Sequence, residues 1–353
     1  MSRYSAITGW GMRVPERVLT NADLERMVET SDEWITSRTG IKERHIAGPG
    51  ETASTLAIPA AQAALERAGI SGADLDLIIV ATVCADYPFP STANLVQHAV
   101  GAQCAAFDIQ AACSGFLYGL STAHQFVANG AAKHALVIGV EVLSRVMDYT
   151  DRSTCVLFGD GAGAVVLSAS DEPGGVLGFT MGSDGAKPEL LWIPTGGSAE
   201  PITEQVLRER RNFVQMQGND VFKFATRIMG TAMEEALAHA GMTAAEMDLF
   251  IPHQANLRII ESASKRLGLP SEKVFVNIEK YGNTSAAAIP IALCEAIEQG
   301  RVYPGAHLGM VAFGAGLTWA AAVVRWTAPV PVRKQEGAAE TGTANAREHA
   351  EIR

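Results

Sequence analysis

The chain is short of cysteine, of basic charge and of long apolar runs, and each shortage closes off a class of protein. Five cysteines stand at 84, 104, 113, 155 and 294. The number is odd and no two are spaced Cys-x-x-Cys, which disfavours a disulfide framework or a zinc site. Acidic residues outnumber basic ones, 38 to 28, so no global positive field recruits nucleic acid. No run approaches the roughly 18 apolar residues of a membrane span; the longest, such as 77–83 and 135–140, are of strand length. The opening Met-Ser-Arg-Tyr-Ser-Ala-Ile lacks an apolar signal region. These absences predict a reduced, cytoplasmic enzyme with neither a nucleic-acid partner nor membrane insertion.

What is present is an ordinary globular composition, 48% hydrophobic over 353 residues, enough for two packed units. The chain also resembles itself. Ala64-Leu-Glu-Arg-Ala-Gly-Ile runs into Leu75-Asp-Leu-Ile-Ile-Val, and Ala236-Leu-Ala-His-Ala-Gly-Met runs into Met247-Asp-Leu-Phe-Ile-Pro. Both read as an amphipathic helix, a glycine stop and a buried strand. Ala106-Phe-Asp-Ile-Gln-Ala-Ala-Cys is echoed by Phe275-Val-Asn-Ile-Glu-Lys-Tyr-Gly-Asn, and Phe158-Gly-Asp-Gly-Ala-Gly-Ala by Phe313-Gly-Ala-Gly-Leu-Thr-Trp. Three echoes in one order predict two α/β halves, 1–172 and 173–328, with mostly parallel sheets covered on both faces. Residues 184–216, rich in Pro and Gly and carrying Arg208, Arg210 and Arg211, read as a long loop with a short helix, a lid. Residues 329–353 keep no apolar periodicity and read as a flexible tail.

Three distant segments carry reactive groups: Ala-Ala-Cys113-Ser-Gly, Pro-His253-Gln-Ala-Asn and Tyr-Gly-Asn283-Thr-Ser. Each lies between a strand-like and a helix-like run, where backbone N–H groups point outward. A thiol there is expected to have a lowered pKa, since the helix dipole favours thiolate. The repeat places Cys113 and Asn283 at equivalent ends that meet near a pseudo-twofold axis, with His253 converging on them. A nucleophile, an imidazole and an amide suggest acyl transfer through a thioester. Cys84, Cys155 and Cys294 lie in apolar runs and read as small buried hydrophobes. Asp160, within Phe-Gly-Asp-Gly-Ala-Gly, reads as a structural turn residue joining two strands rather than as a metal or nucleotide ligand.

Together with Thr30-Ser-Asp-Glu-Trp-Ile, Arg38-Thr-Gly-Ile, Phe89-Pro-Ser, Asp151-Arg and Phe313-Gly-Ala-Gly-Leu-Thr-Trp, these motifs make residues 4–327 resemble the β-ketoacyl-acyl-carrier-protein synthase III family. The resemblance implies a thiolase-like α/β fold, two pseudo-symmetric halves in five αβαβα layers. It implies a decarboxylative condensation of an acyl-CoA primer with malonyl-acyl carrier protein at the start of fatty-acid synthesis, without a cofactor or metal. In it Cys113, His253 and Asn283 are catalytic, and the N–H groups of Cys113 and Ala315 form an oxyanion hole. Many relatives have glycine where this chain has Ala315, whose N–H serves as well if its φ stays negative. Thr30, Trp34, Arg38 and Arg152 match residues around the CoA adenine; Asn219, Phe222 and Asn256 match those along the pantetheine arm. Phe89 matches a residue that reaches into the acyl pocket across a homodimer. The run Gln254, Ala255, Asn256, Leu257 and Arg258 matches the carrier-protein docking segment, with Lys265 and Arg266 further along the same helix. A relative in secondary metabolism, starting a polyketide or acylating a hydroxyl or amine, is the alternative, and a non-catalytic thioester-binding subunit a third.

Overall fold

The computed structural model describes residues 4–330. Nine strands form one hydrogen-bonded sheet: β1 (Tyr4–Arg13), β2 (Leu77–Ala81), β3 (Ala105–Ile109), β4 (His134–Val142), β5 (Asp160–Ser170), β6 (Gly175–Ser183), β7 (Leu249–Pro252), β8 (His307–Gly314) and β9 (Thr318–Arg325). Their order is β7-β8-β9-β6-β1-β5-β4-β2-β3. Read outward from the centre, β1-β5-β4-β2-β3 on one side answers β6-β9-β8-β7 on the other. The fifth place of the second series is filled by a single parallel bridge, Phe250 to Val274. One parallel bridge, Ser5 to Gly175, joins the two series.

Seven helices position the site: α1 (Asp32–Thr39), α2 (Ala53–Ala68), α3 (Thr92–Val100), α4 (Gly115–Ala128), α5 (Gly218–His239), α6 (Leu257–Arg266) and α7 (Ala288–Glu298). Helix α2 lies on β1 and β5, with α3 beside it, as one outer layer; α5 lies on β6, β9 and β8, with α6 beside it, as the other. Helices α4 and α7 lie between the two series and touch strands of both. The result is the five-layered thiolase-like αβαβα arrangement. The period of two along each strand explains it. Ile79, Val165, Met310 and Ala322 face the central cluster, whereas their neighbours Ile78, Ala164, Val311 and Val323 face the outer ones. Strands apolar on both sides can only be sandwiched.

The sheet is mixed, not mostly parallel. β5 pairs antiparallel with β1 and β4, and β9 pairs antiparallel with β8 and β6. Only three residues separate β8 from β9, too few for the crossover a parallel pair needs. The packed body also extends past the expected start of the tail. Trp326 is fully buried, its ring meets Trp10 edge-on at 5.4 Å, its Nε1–H donates to Ala328 O, and Val330 packs on the same cluster. The rest of the expected tail, from residue 331, lies outside the described residues. Segment 184–216 is tied down at several points. A reciprocal backbone pair links Asp184 to Leu317, Val214 N–H donates to Val146 O, and Arg210 grips Asp148 at 2.5 Å.

Trp326→Ala is expected to cost about 3–5 kcal/mol of stability, because it empties a large buried site that the sheet cannot collapse into. Chemical denaturation measures this, and a loss below 1 kcal/mol would show that the C-terminal edge does not belong to the core.

Candidate active site

Strand β3 ends at Ile109, and the chain turns sharply before α4. Ala112 takes φ +46°, in the left-handed region an alanine rarely enters, and a short 3-10 turn, Ala112–Ser114, leads into the helix. The turn presents Cys113 just ahead of the α4 N-terminus. The same device recurs before α7, where Ser285 takes φ +49° and opens the turn Ser285–Ala287. The counterpart of Cys113 in that turn is Ala286, so Asn283 stands three residues ahead of the equivalent position. It also follows a short helical turn, Ile278–Tyr281, rather than a strand.

The loop from β8 to β9 closes on the turn that carries Cys113. A Cβ on Gly314 would lie 2.6 Å from the Cys113 nitrogen, so only glycine permits this approach. Thr318 Oγ1 lies 2.6 Å from Ser114 Oγ, 2.9 Å from Ala111 O and 3.1 Å from Ala315 O, which ties loop to turn. Positive φ in this loop falls on Gly316, at +134°, and not on Ala315, so alanine is accommodated there without strain.

His253 follows β7, and its backbone N–H donates to Val311 O, extending the β7–β8 ladder by one rung. Its ring is buried edge-on against Phe313 at 5.9 Å, and neither ring nitrogen has a partner among the described residues. Asn283 accepts the Ser285 N–H on Oδ1 at 2.8 Å, which leaves its Nδ2 as the free donor end. Two cavities meet at Cys113. One, of about 90 Å³, is lined by Cys113, His253, Asn283, Phe222, Ala255 and Asn256. The other, of about 420 Å³, is lined mostly by apolar groups, including Val83, Leu143, Phe158, Trp192, Ile193 and Val214. The last three belong to segment 184–216, which therefore walls the larger cavity. That role was not legible in its Pro- and Gly-rich composition.

Electrostatically the site is dry. Burial pushes the Cys113 thiol up to about 12, with the Glu141 carboxylate adding to the rise and a Ser285 hydrogen bond opposing it. Desolvation thus works against the lowering expected from the helix terminus, and among the described residues no Lys or Arg lines either cavity to assist it. Burial also brings His253 down to about 3, so its imidazole is neutral and keeps a single N–H to donate. Asp160 stands at the head of β5 rather than in a turn. It accepts N–H groups from Ala47 and Ser144, and so pins three segments together instead of facing a ligand. Among the described residues no cluster of His, Cys, Asp and Glu could hold a metal, and no helix is long and apolar enough to cross a membrane.

Comparison with known proteins accounts for this arrangement. Residues 107–185 match the family 3-oxoacyl-[acyl-carrier-protein] synthase III, and residues 237–326 match its C-terminal counterpart. The β-ketoacyl-[acyl-carrier-protein] synthase III of Roseiflexus castenholzii is 56% identical over 93% of this chain and all of its own length; that of Roseiflexus sp. RS-1 is 54% identical with the same coverage. This chain belongs to the β-ketoacyl-acyl-carrier-protein synthase III family. Its members are condensing enzymes that transfer acyl groups. The crystal structure of the Aquifex aeolicus synthase III, 50% identical, superposes with a TM-score of 0.85 over 91% of this chain and 100% of that one.

The residues expected around the CoA and carrier-protein mouth lie at several places on the surface. Trp34, on α1, is half-buried between two guanidinium groups, Arg38 at 4.7 Å and Arg152 at 5.3 Å from its ring centroid. Thr30 lies just ahead of α1, with its hydroxyl buried and unpartnered. Asn219 is exposed on the first turn of α5 and Phe222 half-buried on the next. Asn256 caps α6 through the Arg258 N–H and donates to Arg38 O at 3.0 Å, joining the two rims. Phe89 is 85% exposed. The docking run is corrected in part. Gln254 is only 2% exposed, and its amide is engaged with Pro252, Phe275 and Asn277 inside the protein. Leu257 packs on Gly40, and Ala255 lines the smaller cavity. Only Arg258 presents charge outward, above the Phe222 ring at 5.2 Å. On the same helix Lys265 is exposed, while Arg266 is paired with Glu234 at 2.7 Å.

Ser285 and Glu141 are polar residues outside the expected set that stand close to Cys113. Ser285 lines the larger cavity beside Cys113, and Glu141 is buried behind it, 3.1 Å from Ser285 Oγ. The available signal was a single glutamate closing the apolar run of β4.

Gly314→Ala is expected to lower acylation of Cys113 by more than tenfold and to lower the melting temperature as well, since the added methyl pushes the Cys113 backbone from its position. Intact-protein mass spectrometry after timed exposure to acetyl-CoA measures the rate, and wild-type kinetics would refute the close-packed loop as a requirement.

Proposed function

We propose that this chain starts fatty-acid synthesis by condensing an acyl-CoA primer with malonyl-acyl carrier protein, and that Cys113, His253 and Asn283 do the chemistry. The observation that carries this reading is the position of Cys113 where two cavities meet. The larger, apolar one suits an acyl chain. The smaller one, running past His253 and Asn283 to Phe222 and Asn256, suits a pantetheine arm. Attack by Cys113 on the thioester forms an acyl-cysteine and releases CoA. The carbonyl oxygen gains charge in that step, and the N–H groups of Cys113 and Ala315 are the donors that receive it.

A malonyl thioester then enters the vacated arm of the site. Loss of CO2 leaves an enolate, and no base is needed because decarboxylation itself generates the carbanion. Neutral His253 and the Asn283 Nδ2 each donate a hydrogen bond to the enolate oxygen. A neutral donor suits this step because it need not give up its proton. The carbanion attacks the acyl-cysteine carbonyl and regenerates the thiol. At the mouth, Trp34 between Arg38 and Arg152 offers planar faces for adenine. Thr30 and Asn219 flank the mouth. Arg258, above Phe222, is the cation offered to the acidic carrier protein.

The mirrored strand order supports two halves of common pattern, 1–172 and 173–328. The exposed Phe89 supports a homodimer in which it reaches the partner's acyl pocket. We assign no cofactor, and place the enzyme in the cytoplasm.

Cys113→Ala should take no acyl group, where the wild type takes one; an adduct on the variant would move the nucleophile elsewhere. His253→Ala and Asn283→Ala should still acylate but release labelled CO2 from malonyl-acyl carrier protein about 100-fold more slowly, the usual scale for losing one oxyanion donor. Normal release by either would remove its role. Arg258→Glu should impair condensation with the carrier protein far more than acylation from CoA. That defect should shrink as salt rises, because exposed charges are screened over about 8 Å at physiological ionic strength. Equal loss in both assays would instead make Arg258 a structural residue.

A further inference from the structure

The proposed chemistry leaves a buried carboxylate behind the nucleophile turn without a task. Glu141, the penultimate residue of β4, has no exposed surface. Its carboxylate accepts the Val83 N–H at 3.1 Å, the Thr82 hydroxyl at 3.3 Å and the Ser285 hydroxyl at 3.1 Å. Ser285 is in turn the hydroxyl beside the Cys113 sulfur, and both line the acyl cavity. A lone carboxylate in an apolar core is costly unless its charge is used or neutralised. The nucleophile needs such a group. Burial disfavours its thiolate, no cation among the described residues lines the cavities, and the buried His253 ring resists taking a second proton.

We propose that Ser285 and Glu141 form a proton relay that receives the Cys113 proton during acylation and returns it after condensation, with Thr82 orienting the carboxylate. This rests on the condensing function proposed above. As sulfur bonds to the thioester carbon, the S–H proton passes to Ser285 Oγ, and the Ser285 proton passes to Glu141 Oε1. The carbonyl electron pair moves onto oxygen and returns as the C–S bond to CoA breaks. The departing CoA thiolate takes a proton from solvent. When the enolate later displaces the Cys113 sulfur from the acyl group, the thiolate recovers its proton from Glu141 through Ser285. The enzyme ends as it began, and the one proton consumed is the one on CoA.

Burial pushes the Glu141 carboxyl up to about 7, partly offset by its hydrogen bonds, which lets it exchange a proton near neutrality. The titratable groups facing it are the Cys113 thiol on the nucleophile turn and the Cys84 thiol beyond β2. Asp160, on neighbouring β5, turns its oxygens toward Ala47 and Ser144 instead. Glu141 touches no reacting atom and acts through Ser285, so it is a positioning residue. Ser285 has a second task that survives loss of its hydroxyl: its backbone N–H still holds Asn283. Its left-handed φ is tolerated by alanine at the equivalent position, Ala112.

The test is the single-turnover rate of Cys113 acylation by acetyl-CoA, followed by intact mass from pH 5.5 to 9. The relay accepts a proton only while Glu141 is ionised. The wild-type rate should therefore fall as pH drops through about 7. Ser285→Ala and Glu141→Gln should acylate at least tenfold more slowly at pH 8 and lose that acidic limb. Melting temperatures separate this from unfolding, and Ser285→Ala decides the matter if Glu141→Gln does not fold. Wild-type rate and pH profile in Ser285→Ala would overturn the relay while leaving the condensing function intact. A wild type that takes no acyl group at all would overturn both.

Discussion

Two helices, α4 and α7, are enclosed between the strands of both halves, and the rest of the molecule follows from that burial. A helix packed on both sides has no room for a polar face, and residues such as Phe116, Leu117 and Leu120 on α4 and Ile289, Leu293 and Ile297 on α7 are fully covered. Each such side chain contributes roughly 1.5–3 kcal/mol by leaving water. Close approach demands small residues where backbones cross. Gly139 on β4 is the clearest case: a Cβ there would stand 2.2 Å from the Ala286 carbonyl oxygen, at the turn that starts α7. The N-termini of both helices are thus held against one another and against the β8–β9 loop.

That geometry makes the reaction site part of the core. The turn that carries Cys113 and the turn that follows Asn283 are the capping turns of the two central helices. Their left-handed residues, Ala112 and Ser285, are held by the packing around them. Dryness follows, and it pushes every ionisable group the same way: Cys113 and Glu141 toward their protonated forms, His253 toward its neutral one. A neutral resting site suits a reaction whose charges exist only in passing, on a carbonyl or enolate oxygen. Fixed donors in a low-dielectric pocket stabilise such charges strongly, since little reorganisation is needed.

The periphery obeys a different economy. Segment 184–216 and the rims around Trp34 and Arg258 also carry exposed ion pairs and stacking contacts, such as Arg208–Glu204 and Lys223–Asp220. Exposed pairs contribute about 0–1 kcal/mol each. The proposed substrate-handling surface therefore includes contacts weaker than those around the proposed bond-making residues, which sit in the core. Asn256 links the two regimes: it caps α6, lines the smaller cavity and hydrogen-bonds the Arg38 backbone.

Much of this was written in the chain itself. The internal echoes carried the two-part strand pattern, because a repeated helix–glycine–strand sequence folds the same way twice. The motifs around Cys113, His253 and Asn283 carried three side chains that line one cavity, because such groups between strand-like and helix-like runs sit at element ends. Other features were decided only in three dimensions. The mixed sheet depended on strand neighbours that local periodicity does not encode. The desolvation that pushes the Cys113 thiol up, against the local helix terminus, depended on residues far away in sequence. Gln254, polar and inside a surface-like motif, turned inward because the strand end at Pro252 and the Phe275–Asn277 segment offered its amide partners. Glu141 carries no motif of its own, and only the fold sets it behind Ser285, 144 positions away. Sequence fixes which groups are available and which element each occupies; contact between distant elements determines what each one faces, and therefore its charge and its role.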